Sequence, residues 1–165
     1  MIIYLNKHFD DECVEEFINK VNSSENYQDI TVYLSSYGGE VSVTPILRDI
    51  IQKYQMNLIA CSEIYSSALD LFLTTNTPRS VLDDSLGMYH KTFMDIKVST
   101  EFKPQELNKS LVSIWKTEPE CDKLVRQFLD LSTKQLKRFN KGEDIYLNHK
   151  QLRKALKNSE KFFGR

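Results

Sequence analysis

Short apolar runs mark the predicted strands of this chain. Continuous apolar or β-rich stretches occur at residues 2–5, 30–34 and 58–61. Shorter candidates follow at residues 81–82 and 86–89. Runs of this length, bounded by polar turns, are typical of strands, and their continuity favours strands that are buried on both faces.

Between these runs the apolar residues recur at helical spacing. After the capping candidates Asp10 and Asp11, the stripe over residues 14–21 predicts a helix. A second helix is predicted over residues 46–54, with Pro45 in its first turn, and a third over residues 67–74. Strand and helix alternate through residue 90, which predicts βαβ units, a parallel sheet and an α/β fold class.

The second half of the chain is predicted to be mostly helical. Residues 93–98 alternate apolar and polar positions, as an edge strand does, and Pro104 opens a long helical segment. That helical pattern resumes over residues 124–129 and again around Leu152 and Leu156. The segment after residue 103 carries so much apolar surface that we expect it to pack on the body or on another subunit. Residues 1–165 are expected to form a single domain.

Composition narrows the class of protein. The chain has 165 residues, a net charge of −1 and three cysteines. The balanced charge gives no basic patch for nucleic acid or a membrane surface. Sparse, odd cysteines are typical of a reducing compartment, and no long apolar span or leader is evident, so we expect a cytoplasmic protein. The scattered histidines make no metal motif, and no cofactor is predicted.

Three side chains suggest nucleophilic chemistry. Ser67 lies at a predicted strand-to-helix junction, His90 follows a short strand, and Asp144 follows Gly142-Glu143. A serine hydroxyl needs a base within hydrogen-bond reach, and an acid must orient that base. Gly38-Gly39 after a strand would let the backbone approach a substrate oxyanion closely. Taken singly, each feature is equally typical of structure, since Gly-Gly suits a turn and serine suits an N-cap.

Four strings in order resemble one family. They are Ser36-Tyr37-Gly38-Gly39-Glu40-Val41, Glu63-Ile64-Tyr65-Ser66-Ser67-Ala68, Met88-Tyr89-His90-Lys91-Thr92 and Glu143-Asp144-Ile145-Tyr146-Leu147-Asn148. The proteolytic subunit of the Clp protease (ClpP) carries S-P-G-G-x-(VI), G-x-A-A-S-(MA), M-I-H-Q-P and R-D-x-x-(ML)-(ST) in the same order. No string is intact, but the resemblance extends over nearly the whole chain.

The resemblance implies a set of site residues. Ser67 is then the nucleophile, His90 the base and Asp144 the orienting acid. The Gly39 and Ala68 amides form the oxyanion hole, with Gly38 as a further candidate. Ser66 is the alternative nucleophile; Ser67 is preferred because it keeps Leu71-Phe72-Leu73-Thr74 in step with the family's apolar helix.

The resemblance also implies an architecture and a mode of action. The fold is the ClpP/crotonase superfold of repeated ββα and βαβ units, with residues 92–131 as a protruding, handle-like strand and helix. The activity is cleavage of unfolded polypeptides or peptides, in a homo-oligomeric heptameric ring or double ring. An AAA+ unfoldase partner is not expected, since the chain begins almost directly at the first strand.

The strings also depart from the family. Glu63 stands where the family has glycine, Tyr65 where it has alanine, and Tyr37 where it has proline. These departures leave open a non-catalytic structural or regulatory ring subunit on the same fold. A crotonase-type acyl-CoA enzyme and a serine–lysine peptidase are further alternatives, although nothing in the sequence singles out a lysine for the latter.

Overall fold

The computed structural model describes residues 1–91 and 120–165, and within them it shows a mixed α/β architecture. Six strands form one sheet in the order β1-β2-β3-β5-β6, with β4 paired to β3 beside this path. The first five strands are parallel to their neighbours, and β6 runs antiparallel to β5. The strands are β1 (Ile2–Leu5), β2 (Thr31–Ser36), β3 (Asn57–Tyr65), β4 (Arg79–Val81), β5 (Leu86–Tyr89) and β6 (Ile145–Leu147).

Six α-helices accompany the sheet within the described residues. Two capping boxes and an aspartate N-cap begin three of them; Asp10, for example, accepts a hydrogen bond of 2.8 Å from the Cys13 amide. The helices are α1 (Asp11–Asn22), α2 (Thr44–Lys53), α3 (Ser67–Thr74), α4 (Glu120–Leu129), α5 (Thr133–Asn140) and α6 (His149–Phe162). None of the described helices is both long enough and apolar enough to cross a bilayer.

The predicted alternation of parallel strands and helices is confirmed, but the predicted burial of both sheet faces is wrong. Burial alternates along β1 and β2, so each strand buries only one face. On the other face of β1, Ile2 is 57% exposed and Tyr4 is 60% exposed. The core forms on the opposite face, where side chains such as Ile3, Val32 and Leu58 join those of the helices.

Helix α3 lies at the centre of this core. All eight of its residues are buried. It contacts β3 at its start, α2 on one side, and α4 and α6 on another. A helix this enclosed is held by packing on every side, so its ends are fixed relative to the sheet.

Part of the predicted handle belongs to the body. Helix α4 packs on α3 and α6 through buried Val125 and Phe128. The predicted edge strand at residues 93–98 and the helix opening at Pro104 lie outside the described residues. The antiparallel strand β6 and helix α5 were not predicted from the sequence.

Candidate active site

Strand β3 changes partner in its middle, which sets the position of the site. Its first half pairs with β4 and its second half with β5. The register against β2 shifts between Leu34↔Ala60 and Ser36↔Ile64, and Ser62 within that interval has φ +61°. Such bulges redirect a strand and are frequent beside active sites. The end of β3 is thereby delivered between the glycine loop after β2 and the end of β5.

The turn from β3 into α3 is centred on Ser66 and is here called the elbow. Ser66 has φ +53° and ψ −127°, a conformation outside the regions that L-residues usually occupy. Holding a non-glycine residue there costs roughly 1–3 kcal/mol. Its amide donates to the Met88 carbonyl at 2.9 Å, so β5 holds the elbow from one side.

The elbow brings Ser66 to the predicted base. His90 Nε2 lies 2.7 Å from Ser66 Oγ. Both residues are partly exposed, so a substrate can reach them. A neutral imidazole with its proton on Nδ1 accepts the Ser66 proton in this geometry, which is the arrangement that activates a serine.

Ser67, the predicted nucleophile, has a different environment. It is 1% exposed. Its Oγ accepts from the Gly39 amide at 2.8 Å and donates to the Gly39 carbonyl at 3.2 Å. The structure therefore joins His90 to Ser66, the alternative nucleophile, and uses the Ser67 hydroxyl to tie the glycine loop to α3.

The sequence pattern could not decide between Ser66 and Ser67 as the nucleophile, and the reason is physical. The preference for Ser67 rests on keeping residues 71–74 in step with the family's apolar helix, but α3 is buried on every side. A uniformly buried helix has no polar face, so its apolar pattern does not show which of two adjacent residues begins it. The sequence signal for Ser66 is its position as the last residue before the helix. A strand-to-helix turn exposes the side-chain hydroxyl of a serine at that position.

The glycine loop packs against the elbow at van der Waals limits. Gly38 has φ +87°, and a Cβ there would lie 2.7 Å from the Tyr65 carbonyl oxygen and 2.8 Å from Ser67 Oγ. A Cβ on Gly39 would lie 2.4 Å from the Phe9 carbonyl oxygen. Only glycine fits between these backbones, which accounts for the Gly38-Gly39 pair.

The predicted oxyanion donors are only partly available. The Gly39 amide donates to Ser67 Oγ, and the Gly38 amide donates to Ser36 Oγ at 3.0 Å. In contrast, the Ser67 and Ala68 amides at the start of α3 have no acceptor within the described part of the chain. These two N–H groups, next to Ser66 and at the positive end of the helix, are the donors the structure leaves for an anion.

Asp144 immediately precedes β6, and His90 immediately follows β5. In the antiparallel β5–β6 ladder the last pair is Tyr89 and Ile145. His90 and Asp144 are therefore the residues next to that pair on the two chains. Asp144 is partly exposed, and the described structure contains no hydrogen bond between its carboxylate and His90. Its neighbour Glu143 forms an exposed ion pair with Arg138 at 2.7 Å.

A tyrosine–carboxylate cluster, formed by Tyr37, Glu63, Tyr65 and Tyr146, borders the elbow. The Glu63 carboxylate accepts from the Tyr37 hydroxyl at 3.0 Å and from the Tyr65 hydroxyl at 3.2 Å. The hydrogen bond from Tyr37 to Glu63 raises the pKa of Tyr37, while burial followed by the Glu63 charge raises the pKa of Tyr65. From the sequence these positions were noted only as departures from a family pattern.

No protein-family model and no curated protein matches this chain. Among the described residues, no group of three or more histidine, cysteine or acidic side chains is placed to hold a metal ion.

Proposed function

We propose that this protein is a serine endopeptidase that resembles the Clp proteolytic subunit, with Ser66 as nucleophile and His90 as general base. The observation that carries the proposal is the 2.7 Å approach of His90 Nε2 to Ser66 Oγ on a strained, partly exposed elbow. Strain of this kind persists only where the surrounding structure enforces it, and it concentrates at functional sites.

The chemistry follows from that pair. His90 Nε2 takes the Ser66 proton as Oγ bonds to the substrate carbonyl carbon. The protonated imidazole then gives this proton to the leaving amine as the peptide C–N bond breaks. In the second half of the reaction, His90 takes a proton from water as the water oxygen attacks the acyl-serine carbonyl carbon. The imidazolium then returns that proton to Ser66 Oγ as the C–Oγ bond breaks, which releases the carboxylic acid and restores the serine.

The start of α3 supplies the charge stabilisation. The Ser67 and Ala68 amides meet the oxygen that becomes negative in the tetrahedral intermediate. Removing one such donor in other enzymes costs about 10²–10³ in rate. The Gly39 amide joins them only when the Ser67 hydroxyl turns away from it.

Asp144 is the orienting acid of this proposal. The pairing of Tyr89 with Ile145 supports this role, because His90 directly follows and Asp144 directly precedes that pair, and a carboxylate beside His90 would stabilise the imidazolium that forms during the reaction. Catalytic hydrogen bonds often form or tighten only when substrate binds, so the proposal does not require this one beforehand.

Placing the nucleophile at Ser66 gives fewer identities with the family's G-x-A-A-S-(MA) string, because Ala68 no longer matches, but it agrees with that string in backbone conformation. Ser62 then occupies the glycine position, and its φ of +61° is the left-handed conformation that glycine favours. The parallel sheet and the order of the four strings support the ClpP/crotonase superfold in the same way. Peptide or unfolded-protein substrates, a cytoplasmic location and a ring-shaped homo-oligomer complete the proposal; light scattering at micromolar concentration tests the ring.

Active-site labelling tests the proposal. A fluorophosphonate probe should modify the wild-type protein at Ser66, and Ser66→Ala should abolish both labelling and peptide hydrolysis. Ser67→Ala is the matched control, since it removes the neighbouring hydroxyl and should still be labelled. Loss of labelling in Ser67→Ala together with retention in Ser66→Ala would return the nucleophile to Ser67.

One observation favours a second candidate, a non-catalytic ring subunit. The Gly39 amide is engaged by Ser67, and no hydrogen bond joins Asp144 to His90 in the described structure. A folded wild-type protein that neither reacts with the probe nor cleaves peptides between about pH 6 and 9 would favour this candidate. A serine–lysine mechanism through Lys91 is disfavoured, because its Nζ lies 3.4 Å from the Asn140 carbonyl and over the Phe139 ring.

A further inference from the structure

The tyrosine–carboxylate cluster has a negative centre within an aromatic surface. Rings of Tyr37 and Tyr65 lie 5.3 Å apart between centroids, and Tyr65 meets Tyr146 edge to face at 6.3 Å. Tyr37 and Tyr146 are 69% and 63% exposed. Two large rings left this open to solvent, with a half-buried third ring between them and one acid beside them, form a surface that core packing does not explain.

The Glu63 carboxylate has capacity for a further partner. Its two oxygens accept one tyrosine hydroxyl each, while an ionised carboxylate offers about four lone-pair sites. Within residues 1–91 and 120–165, no lysine, arginine or histidine forms an ion pair with it. The two hydroxyls fix its orientation and leave its charge uncompensated.

The cluster adjoins the elbow on two sides. Tyr65 immediately precedes Ser66, and Tyr37 immediately precedes Gly38, whose backbone packs on Ser67. Glu63 lies three residues before Ser66, which is about 10 Å along a strand at roughly 3.3 Å per residue. Glu63 and Tyr37 also line an open cleft of about 300 Å³. Lys7 lines the same cleft, but it is already paired with Glu16.

We propose that this cluster is a substrate subsite that takes a basic side chain, lysine or arginine, within about three residues of the scissile bond. Glu63 supplies the counter-charge, and the rings of Tyr37, Tyr65 and Tyr146 receive the aliphatic stem and the face of the cation. This inference rests on the proposed peptidase function, because it names that enzyme's substrate class.

The size of the preference follows from the exposure of the cluster. A partly exposed carboxylate–cation pair and a cation–π contact are each modest, and together they favour a basic residue about tenfold over an uncharged one. The contribution of the charge pair is screened by salt. The preference should therefore shrink as ionic strength rises, whereas a preference due to shape alone would not.

Paired fluorogenic peptides test the subsite. Each pair consists of two otherwise identical peptides, one with lysine and one with norleucine at a single position. There is one pair for each position within three residues of the cleaved bond. For the wild-type protein, kcat/KM should be about tenfold higher for lysine at one position in low salt, and in Glu63→Gln that ratio should fall to about threefold or less, because only the cation–π contact remains. Glu25→Gln, which removes the same charge in the exposed loop after α1, should keep the wild-type ratio.

A second variant distinguishes loss of the Glu63 charge from a structural disturbance of the cluster. Tyr37→Phe keeps the ring and the Glu63 charge and should keep the lysine preference. Equal kcat/KM for lysine and norleucine in the wild-type protein, or an unchanged ratio in Glu63→Gln, would overturn the subsite. So would loss of the preference in Tyr37→Phe to the same extent as in Glu63→Gln.

Binding distinguishes failure of the subsite from failure of the peptidase. In Ser66→Ala, fluorescence anisotropy should give a Kd about tenfold lower for the lysine peptide than for the norleucine peptide, and adding Glu63→Gln should reduce that difference to about threefold or less. Absence of fluorophosphonate labelling together with Glu63-dependent binding would sink the peptidase and keep the subsite. Labelling at Ser66 without any lysine preference would do the reverse.

Discussion

The two ends of helix α3 are treated differently by the rest of the molecule. At its C-terminal end the carbonyls are satisfied by buried donors: Arg79 Nη1 reaches the Phe72 and Leu73 oxygens at 2.8 and 3.0 Å, and Ser159 Oγ also donates to Leu73 at 2.5 Å. At its N-terminal end the Ser67 and Ala68 amides have no acceptor within the described residues.

The C-terminal end of α3 is the closed end and serves the stability of the fold, whereas the N-terminal end is the open end and serves the proposed chemistry. The closed end anchors α3 through buried polar groups that need every hydrogen bond they make. The open end leaves two donors next to Ser66, whose hydroxyl contacts His90. In the proposed mechanism these donors bind an anion, which requires that the helix does not shift, so the closed end would contribute by holding the open end in place.

The largest expected effect is at the open end. Asp144→Asn should lower kcat/KM by up to about 10⁴-fold, because the imidazolium would lose the charge that stabilises it. Peptide hydrolysis measured under kcat/KM conditions reports this. Glu143→Gln, which loses only an exposed ion pair with Arg138, is the control. Near-wild-type activity in Asp144→Asn would remove Asp144 from the proposed triad.

Breaking the closed end should reduce stability. Arg79→Met leaves the Phe72 and Leu73 carbonyls without their arginine donor and should lower the free energy of unfolding by about 2–4 kcal/mol. Burial lowers the pKa of Arg79 to about 10, so its guanidinium is charged at neutral pH. Urea unfolding measures the loss.

The control for this substitution is Arg48→Met. Arg48 makes a 3.4 Å hydrogen bond to the Thr74 hydroxyl at the same helix end and a 3.9 Å ion pair with Asp49, and it donates to no carbonyl of α3 among the described hydrogen bonds. Equal destabilisation by the two substitutions would show that Arg79 has no special role. Probe labelling of the folded fraction of Arg79→Met should persist, since the reacting groups are at the other end.

Removing the hydrogen bonds between the glycine loop and the open end should lower the free energy of unfolding by a smaller amount. Ser67→Ala removes both hydrogen bonds to Gly39 and should cost about 1 kcal/mol in unfolding free energy. Urea unfolding beside Ser42→Ala, an exposed serine of the adjacent short helix, isolates the buried contribution. Identical unfolding curves for these two variants would mean that the contacts with Gly39 do not hold the loop.

The smallest expected effect is on the pH dependence of stability, and it comes from the tyrosine–carboxylate cluster beside the open end. The pKa values of Tyr37 and Tyr65 are raised, with Glu63 contributing to both, so protonated phenols stabilise the fold. This stabilisation is complete below the ordinary phenol pKa of about 10 and is lost as pH rises through the raised values.

An alkaline titration measures this effect. Phenolate absorbance should show ionisation at lower pH in Glu63→Gln than in the wild-type protein, while Glu25→Gln should titrate as the wild type does. Superimposable curves for Glu63→Gln and the wild type would mean that Glu63 does not act on these tyrosines.

Much of the fold was predictable from local pattern. The stripe at Val14, Phe17 and Val21 with Asp10 before it specified α1, and the apolar run at residues 2–5 coincides with β1. Strand β6 and helix α5 were missed because short segments carry few periods of any pattern. The prediction that both sheet faces are buried was wrong because a continuous apolar run cannot show how far each face is exposed, and among the described strands the outer face of β1 stays open at Ile2 and Tyr4.

The sequence by itself determined the chemical groups available: two adjacent serines before an apolar helix, a histidine after a strand, a glycine pair and an aspartate in order. Tertiary structure alone decided which groups meet. The bulge at Ser62 and the close packing of Gly38 turn Ser66 toward His90 and bury Ser67. The β5–β6 pairing brings the residue that precedes β6, Asp144, to the same end of the ladder as the residue that follows β5, His90. Side-chain direction at a turn and contacts between distant strands depend on packing of the whole core, which no local pattern encodes.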